Sequence, residues 1–527
     1  MKTPTSICSA LAGMSIPATA IGLPTRGATV VSATLVSDTD PDNKSGQYCK
    51  VLGTIHPVDF LAPEIHVEVD MPTNFNGKSV HFGGGGFDGT IPDPEGQPLD
   101  GFLLFAEPAG VATPLRRGFV TFGSDGGHVG SFFEGSFATN DEALANYVGD
   151  HIKKTHDFAV FLERARYGSA AVHSYFIGGS GGGRQGLIAA QRFPTDYDGI
   201  ISTFPASGIT GLSLQLGRIS KALLAPGGFV NATKGAALQA AVMKQCDALD
   251  GVVDGIIANP SACVFDPKTI RCPGGADTGD TCLSDAQIKT MMVAGTPLIT
   301  NFDLANGIRS VPPFNAFAGA DFWSGDYYPN LAWGASAADA MIEPGVDGKT
   351  SFYYSFSNDM LRFAIARDPS LSILTFDPQS PGSLTARIQA ISALMDSTTT
   401  DLTKFQSRGG KLILQHGQSD QFIPAQMTID YYNRLVERFG HERLSQFAKF
   451  YLVPGAAHGE GGQFNGSYDA LTVLDNWVTN GKEPKDLTIT DLGLSTAGRT
   501  RPLCEYPLWP KYVGGNQNLA SSFVCSH

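Results

Sequence analysis

Short apolar runs bounded by glycine recur through the first part of the chain: Ser79-Val-His-Phe, Gly118-Phe-Val-Thr-Phe and Ser174-Tyr-Phe-Ile. Runs of this length without polar alternation predict strands buried on both faces, as in a parallel sheet. Between the last two, residues 156–166 (His-Asp-Phe-Ala-Val-Phe-Leu-Glu-Arg-Ala-Arg) carry apolar side chains at helical spacing, so a helix should connect those strands. The rhythm returns late, in Lys411-Leu-Ile-Leu-Gln and Lys449-Phe-Tyr-Leu-Val. From 207 to 400 it breaks: that stretch holds four of the cysteines, many Gly, Pro and Asn turns, and aromatic clusters such as Phe352-Tyr-Tyr-Ser-Phe. The pattern predicts an α/β core from residues 1–206 and 401–527, interrupted by a large lid domain at 207–400. No internal repeat or low-complexity tract is present.

Length fits this division, because 527 residues exceed what one compact core normally holds. A charged fraction of 17% with 62 glycines suits a large extracellular enzyme and argues against disorder or coiled coil. The net charge of -13 and pI near 5.3 exclude nucleic acid as an expected partner. No apolar run of about 18 residues occurs, so no membrane helix is expected. The first 23 residues are interrupted by Ser9, Gly13, Ser15 and Pro17 and include Cys8, so they read as the start of a mature domain and not as a signal peptide. Assembly is expected to reach no further than a monomer or homodimer.

The eight cysteines lie at 8, 49, 246, 263, 272, 282, 504 and 525. An even count without a C-x-x-C pair or paired histidines points to disulfides instead of metal. Nearest-neighbour pairing gives Cys8–Cys49, Cys246–Cys263, Cys272–Cys282 and Cys504–Cys525. Such a set belongs to an oxidising compartment, hence a secreted or periplasmic location.

Candidate chemistry centres on Tyr175-Phe-Ile-Gly-Gly-Ser180-Gly-Gly-Gly-Arg-Gln-Gly. Strand, G-x-S-x-G and helix, in that order, form a nucleophile elbow, which projects a serine hydroxyl from a sharp turn flanked by small residues. Its partners should follow as acid and then histidine, each after a strand. Lys411-Leu-Ile-Leu-Gln-His-Gly-Gln-Ser-Asp420 and Lys449-Phe-Tyr-Leu-Val-Pro-Gly-Ala-Ala-His458 supply both. Asp420 would hold the imidazole and His458 would move the Ser180 proton. His416 competes for the second role, and a capping Asp420 with a surface His458 is the structural alternative. The amide of Gly181 and one from Val80-His-Phe-Gly-Gly-Gly-Gly-Phe-Asp-Gly could stabilise an oxyanion. That loop lacks the lysine of a Walker motif and the spacing of a dinucleotide fold.

A second constellation is Cys246-Asp247-Ala-Leu-Asp250-Gly-Val-Val-Asp254-Gly-Ile-Ile. Three carboxylates punctuated by glycines can enclose a hard cation such as calcium, though not as an EF-hand. An acidic turn that binds nothing explains the spacing equally well.

With these motifs the chain resembles the tannase and feruloyl esterase family of α/β-hydrolases, which includes mono(2-hydroxyethyl) terephthalate hydrolase. The resemblance spans nearly the whole chain, from the opening around Cys8 to Pro-Gly-Ala-Ala-His458. It implies a lidded hydrolase with Ser180, Asp420 and His458 as catalytic triad and Gly181 and Gly85 as oxyanion donors. It also implies structural Ca2+ in the lid, held by Asp247, Asp250 and Asp254 with the carbonyls of Val252 and Ile256, and no organic cofactor. Relatives place one cysteine before the serine and another after the histidine. Gly179 and Gly459 stand there, so the chain is expected to lack the family's active-site disulfide and to have a more mobile His458 loop.

The expected activity is serine-esterase hydrolysis of small aromatic esters (feruloyl, galloyl or related benzoyl, or a terephthalate monoester), with Arg362 and Arg367 as candidate substrate contacts. An acyltransferase or lactone-forming enzyme with the same triad is the alternative within enzymes. A non-catalytic binding protein on this scaffold is the alternative outside them.

Overall fold

The apolar runs become adjacent strands of a mixed sheet. The computed structural model describes residues 2–94, 110–323, 329–341, 350–459 and 461–527. These fall into two units, the first made of Met1–Pro205, Asp401–Ile413 and Asp469–Glu483, the second of Ala206–Thr400, Leu414–Tyr468 and Pro484–His527.

In the first unit the strands are β1 (Ser15–Ile16), β2 (Ala28–Val36), β3 (Tyr48–Ile55), β4 (Ile65–Pro72), β5 (Lys78–Phe82), β6 (Val120–Ser124), β7 (His173–Gly179) and β8 (Gly199–Thr203). They lie in the order β1-β2-β3-β4-β6-β5-β7-β8. From β1 through β4 to β6 each pairing is antiparallel. From β6 through β5 and β7 to β8 each is parallel. Every residue of β6 and β8 is buried, as continuous apolar runs require. β2 is largely half-buried or exposed, and the buried β4 alternates apolar residues with His66, Glu68 and Asp70, so apolar runs alone do not reveal these strands. A strand that faces water on one side, as β2 does, carries a diluted apolar signal.

The helix His151–Tyr167 begins a turn earlier than its apolar spacing and ends at Gly168 in the left-handed region, φ 74°. Its Phe158, Ala159 and Leu162 pack with Val51, Val67, Val69 and Phe122 in one buried cluster. Each fully buried side chain of this size contributes about 1.5–3 kcal/mol. The Cys8–Cys49 disulfide lies in the same cluster and ties the N-terminal segment to β3.

In the second unit β9 (Leu298–Leu304) and β10 (Ile308–Val311) form an antiparallel hairpin among helices that include Ile209–Leu223, Ala232–Cys246, Asp285–Ala294 and Thr385–Met395. β11 (Lys411–Gly417) starts in the first unit, where Lys411 N–H donates to Asp198 O. It finishes in the second beside β12 (Ala448–Val453), with Gln418 N–H donating to Val453 O.

Residues 414–468 and 484–527 therefore group with 206–400, and not with 1–205 as a core-plus-lid division has it. The reason is bonding. Asn315 Nδ2 donates to Gln418 O at 2.8 Å, the Tyr353 hydroxyl donates to Gln421 O, and Arg501 donates to Asp254 at 2.5 Å. The remaining disulfides, Cys246–Cys263, Cys272–Cys282 and Cys504–Cys525, are all in this unit and match nearest-neighbour pairing.

Candidate active site

Ser180 stands between β7 and the helix Gly181–Arg192 with φ 60° and ψ −121°. A β-carbon in this region costs about 1–3 kcal/mol and persists only where the surroundings enforce it. Here they do. Ser180 N–H donates to Thr203 O at 3.1 Å, and Arg184 N–H closes the first helical turn onto Ser180 O. A Cβ on Gly178 would fall 2.2 Å from Gly182 O, and one on Gly182 would fall 2.6 Å from Gly84 O. Both obstacles are backbone, so small residues are obligatory around the serine.

The expected absence of the family's active-site disulfide is corrected as a statement about bracing, because four disulfides are present. Positions 179 and 459 are glycines and take no part in them. At 179 the room is taken: a Cβ there would lie 2.7 Å from the Phe204 ring.

Gly181 faces the glycine loop after β5, since a Cβ on it would lie 3.3 Å from Gly86 N and 3.4 Å from Gly85 Cα. The amide of Gly83 donates to Ile177 O, that of Phe87 to Phe132 O and that of Asp88 to Gly85 O. Gly84 N–H donates to Gln185 Oε1 at 3.2 Å. Among the described residues, the Gly85 and Gly86 amides have no partner. Gly181 N–H is a first-turn helix amide, with no intrahelical acceptor. Three donors are thus left close together beside the residue after Ser180, as an anion-accepting site requires.

Asp420 and His458 belong to the second unit, on the loops after β11 and β12. His458 Nδ1 lies 2.8 Å from Asp420 Oδ2, and Asp420 Oδ1 accepts from the amides of Phe422 and Ile423, each at 2.8 Å. Burial pushes the Asp420 carboxyl up, but His458 and His416 outweigh it and hold the group well below its usual range. A carboxylate only accepts, so Nδ1 of His458 carries the ring proton and Nε2 is the basic nitrogen. His416 is fully buried, 3.2 Å from Asp420 Oδ2, with its ring nitrogens against Thr428 Oγ1 and Ile423 O. It supports Asp420 from behind. Gln421 Oε1 accepts from His458 N–H at 3.1 Å, a role its position next to Asp420 did not announce.

The acidic loop follows the helix Ala232–Cys246, with Gly251 and Gly255 at φ 104° and 82°. Asp247 accepts from the amides of Asp254 and Gly255, and Asp250 from those of Val252 and Ala258. Burial, with the Asp254 and Asp247 charges behind it, pushes the Asp250 carboxyl up to about 6. Arg501 neutralises part of Asp254 at 2.5 Å. Three carboxylates against one guanidinium leave two negative charges, matching a divalent cation. The carbonyls of Val252 and Ile256 accept no hydrogen bond among the described residues. Asp250, Asp254 and Ile256 also border a small, mainly apolar cavity whose other walls include Leu452, Phe464 and Phe523, and which Asp247 and Val252 do not reach. The all-oxygen donor set of these carboxylates and carbonyls fits calcium.

Of the candidate substrate contacts, Arg362 Nε–H donates to Leu371 O at 3.1 Å, and Arg367 ends its helix in the left-handed region, exposed. His156, Asp157 and Asp196 also come within ligand distance of one another. Lys153 Nζ lies 2.7 Å from Asp157 and 3.1 Å from Asp196, so an ammonium already serves that cluster. Sequence reasoning missed the buried Asp88–Gln185 pair, although Arg184 and Gln185 are polar side chains amid the small and apolar positions of their helix.

The family profile described as tannase and feruloyl esterase matches residues 49–526. An uncharacterized esterase of Agrobacterium fabrum is 39% identical, over 99% of this chain and 93% of its own. A mono(2-hydroxyethyl) terephthalate hydrolase of Piscinibacter sakaiensis is 32% identical, over 95% and 89%. A probable feruloyl esterase B-2 of Aspergillus terreus is 28% identical, over 88% and 83%. Among solved structures, feruloyl esterase B from Aspergillus oryzae has the same fold, with a TM-score of 0.76 at 24% identity over 99% of this chain and 100% of that one. The chain belongs to the tannase and feruloyl esterase family, and it is a carboxylic ester hydrolase.

Proposed function

We propose that the protein hydrolyses esters of aromatic acids through an acyl-enzyme on Ser180. Ser180 Oγ attacks the ester carbonyl carbon while His458 Nε2 takes its proton, and Asp420 stabilises the imidazolium. The carbonyl oxygen becomes an oxyanion facing the amides of Gly181 and Gly85, with Gly86 beside them. Collapse expels the alcohol with the proton from His458. Water, deprotonated by the same histidine, then releases the acid and restores Ser180.

The observation that carries this proposal is the strained backbone of Ser180 at a strand-to-helix turn, with unpartnered amides opposite. An aromatic acyl group, feruloyl, galloyl, benzoyl or terephthaloyl, is supported by the names of relatives at 32% and 28% identity. Residues 207–400 would form the lid over the site. Calcium, held by Asp247, Asp250, Asp254 and the carbonyls of Val252 and Ile256, would supply charge neutralisation that fixes this loop and would take no part in bond making. The four disulfides support an oxidising, secreted location.

The test is a panel of methyl ferulate, methyl gallate, chlorogenate and a terephthalate monoester, run with the wild-type protein and Ser180→Ala. Turnover of one or more, lost in Ser180→Ala, is expected. Turnover of methyl butyrate, run beside the panel, with none of the four aromatic esters turned over would refute the aromatic assignment, and an active Ser180→Ala would refute the nucleophile.

A further inference from the structure

Asp88 follows the glycine loop and sits in the left-handed region, φ 62°. It is 2% exposed, and Gln185, on the first turns of the helix behind Ser180, is 1% exposed. Gln185 Nε2 donates to both Asp88 oxygens, at 3.1 and 2.9 Å, while its Oε1 accepts from Gly84 N–H at 3.2 Å. The carboxylate fits into a gap made by two glycines. A Cβ on Gly84 would meet Asp88 Oδ1 at 2.3 Å, and one on Gly126 would meet Oδ2 at 2.7 Å.

We propose that Asp88 and Gln185 are positioning residues that clamp the glycine loop so that the Gly85 and Gly86 amides face the developing oxyanion. This rests on the esterase mechanism above. The reason lies in donor and acceptor inventory. With both Asp88 oxygens taking hydrogen bonds from Nε2, the Gln185 amide is fixed with its nitrogen on that side. Oε1 then faces the loop, where it takes the Gly84 amide. Gly83 N–H is taken by Ile177 O and Phe87 N–H by Phe132 O, so the loop amides left for a ligand are those of Gly85 and Gly86.

The charged and titratable groups acting on Asp88 are few. Burial pushes its carboxyl up to about 7, Arg184 and the Gln185 amide oppose this, and Asp125 adds to it. Arg184 is itself held by the carbonyls of Val148 and Tyr147, each at 3.1 Å. The Tyr147 hydroxyl donates to Gly86 O at 3.0 Å, so the loop stays tethered when Gln185 is replaced. A lost clamp should therefore loosen the loop without unfolding it.

The test compares Gln185→Met and Asp88→Asn with the wild-type protein on p-nitrophenyl acetate. Benzeneboronic acid, which forms a tetrahedral adduct on a serine nucleophile, and benzoate, which resembles a product, are measured alongside. Gln185→Met should lower kcat about 100-fold, the cost that a misplacement of about 1 Å can carry, and less than the roughly 1000-fold upper cost of losing an oxyanion donor outright. KM and benzoate affinity should stay nearly constant, and boronate affinity should fall in parallel with kcat. Asp88→Asn, which keeps an oxygen acceptor, should lose less. Unchanged kcat and boronate affinity in Gln185→Met would overturn the clamp, as would equal losses of boronate and benzoate, the mark of general disorder. Should the wild-type protein turn over no ester and bind no boronate, the esterase mechanism falls. The clamp is then decided by amide hydrogen exchange over residues 83–88. Faster exchange there in either variant, with the rest of the first unit unchanged, supports it, and unchanged exchange refutes it.

Discussion

His458 Nδ1 lies 2.8 Å from Asp420 Oδ2, and both side chains are buried. Asp420→Asn keeps the acceptor for the Phe422 and Ile423 amides but lets an amide nitrogen face Nδ1, which favours the wrong imidazole tautomer. A fall in kcat of about 10³- to 10⁴-fold is expected, with the fold intact. Steady-state kinetics beside a circular dichroism spectrum would check this. A variant within tenfold of wild type would exclude Asp420 as the orienting acid.

The Ser180 backbone is predicted to cost stability. Ser180→Gly removes about 1–3 kcal/mol of strain and adds roughly 0.5–1 kcal/mol of chain entropy. A net gain of about 1 kcal/mol should accompany total loss of hydrolysis. Ser180→Ala is the control, because alanine keeps the strain and should lose activity without the gain. Equal unfolding midpoints for the two variants would mean the elbow is not strained.

Asp250 sets a pH dependence. Its folded pKa, about 6, is above the 3.8 of a free aspartate. Its contribution to stability is therefore fully present below pH 3.8 and lost as pH rises through about 6. In EDTA the melting temperature should drop across this window. Asp88 and Glu163, both pushed up to about 7 by burial, drift the same way, so Asp250→Asn serves as the control. Calcium competes with the proton, so at a hundred times its Kd it should stabilise by about 2.7 kcal/mol at neutral pH and by clearly less at pH 5. Calorimetry at the two pH values decides. An equal shift at both, or none, would count against a cation at these carboxylates.

The Cys8–Cys49 bridge closes a separation of 41 residues, which in the chain-entropy picture is worth about 4 kcal/mol. The double variant Cys8→Ala/Cys49→Ala should lose roughly 3–4 kcal/mol by denaturant unfolding. An unchanged midpoint would show that the core around Phe158 and Val67 holds the N-terminal segment unaided.

The parallel strands β5, β6 and β7, and with them β11 and β12, were legible because burial on both faces leaves apolar runs. The antiparallel strand β2 was not, since its exposed and half-buried positions dilute the pattern, and β4 was not, since His66, Glu68 and Asp70 interrupt its apolar residues. The candidate catalytic residues were legible for a local reason. A serine on a tight turn needs glycines within two residues, and Asp420 and His458 each follow an apolar strand. The eight cysteines likewise paired with their nearest neighbours in sequence.

Long-range contacts left no such trace. Gln185 meets Asp88 across 97 residues and Arg501 meets Asp254 across 247. The sequence by itself determined the elbow, its candidate partners and the disulfide framework, because each depends on a few consecutive residues with special backbone or redox chemistry. Only the tertiary structure decided which loop amides remain unpartnered, which carboxylates lose their water and which histidine faces Asp420 through Nδ1. Those depend on what surrounds a group once the chain has closed, and burial of a polar atom is a property of its neighbours and not of its own position in the sequence.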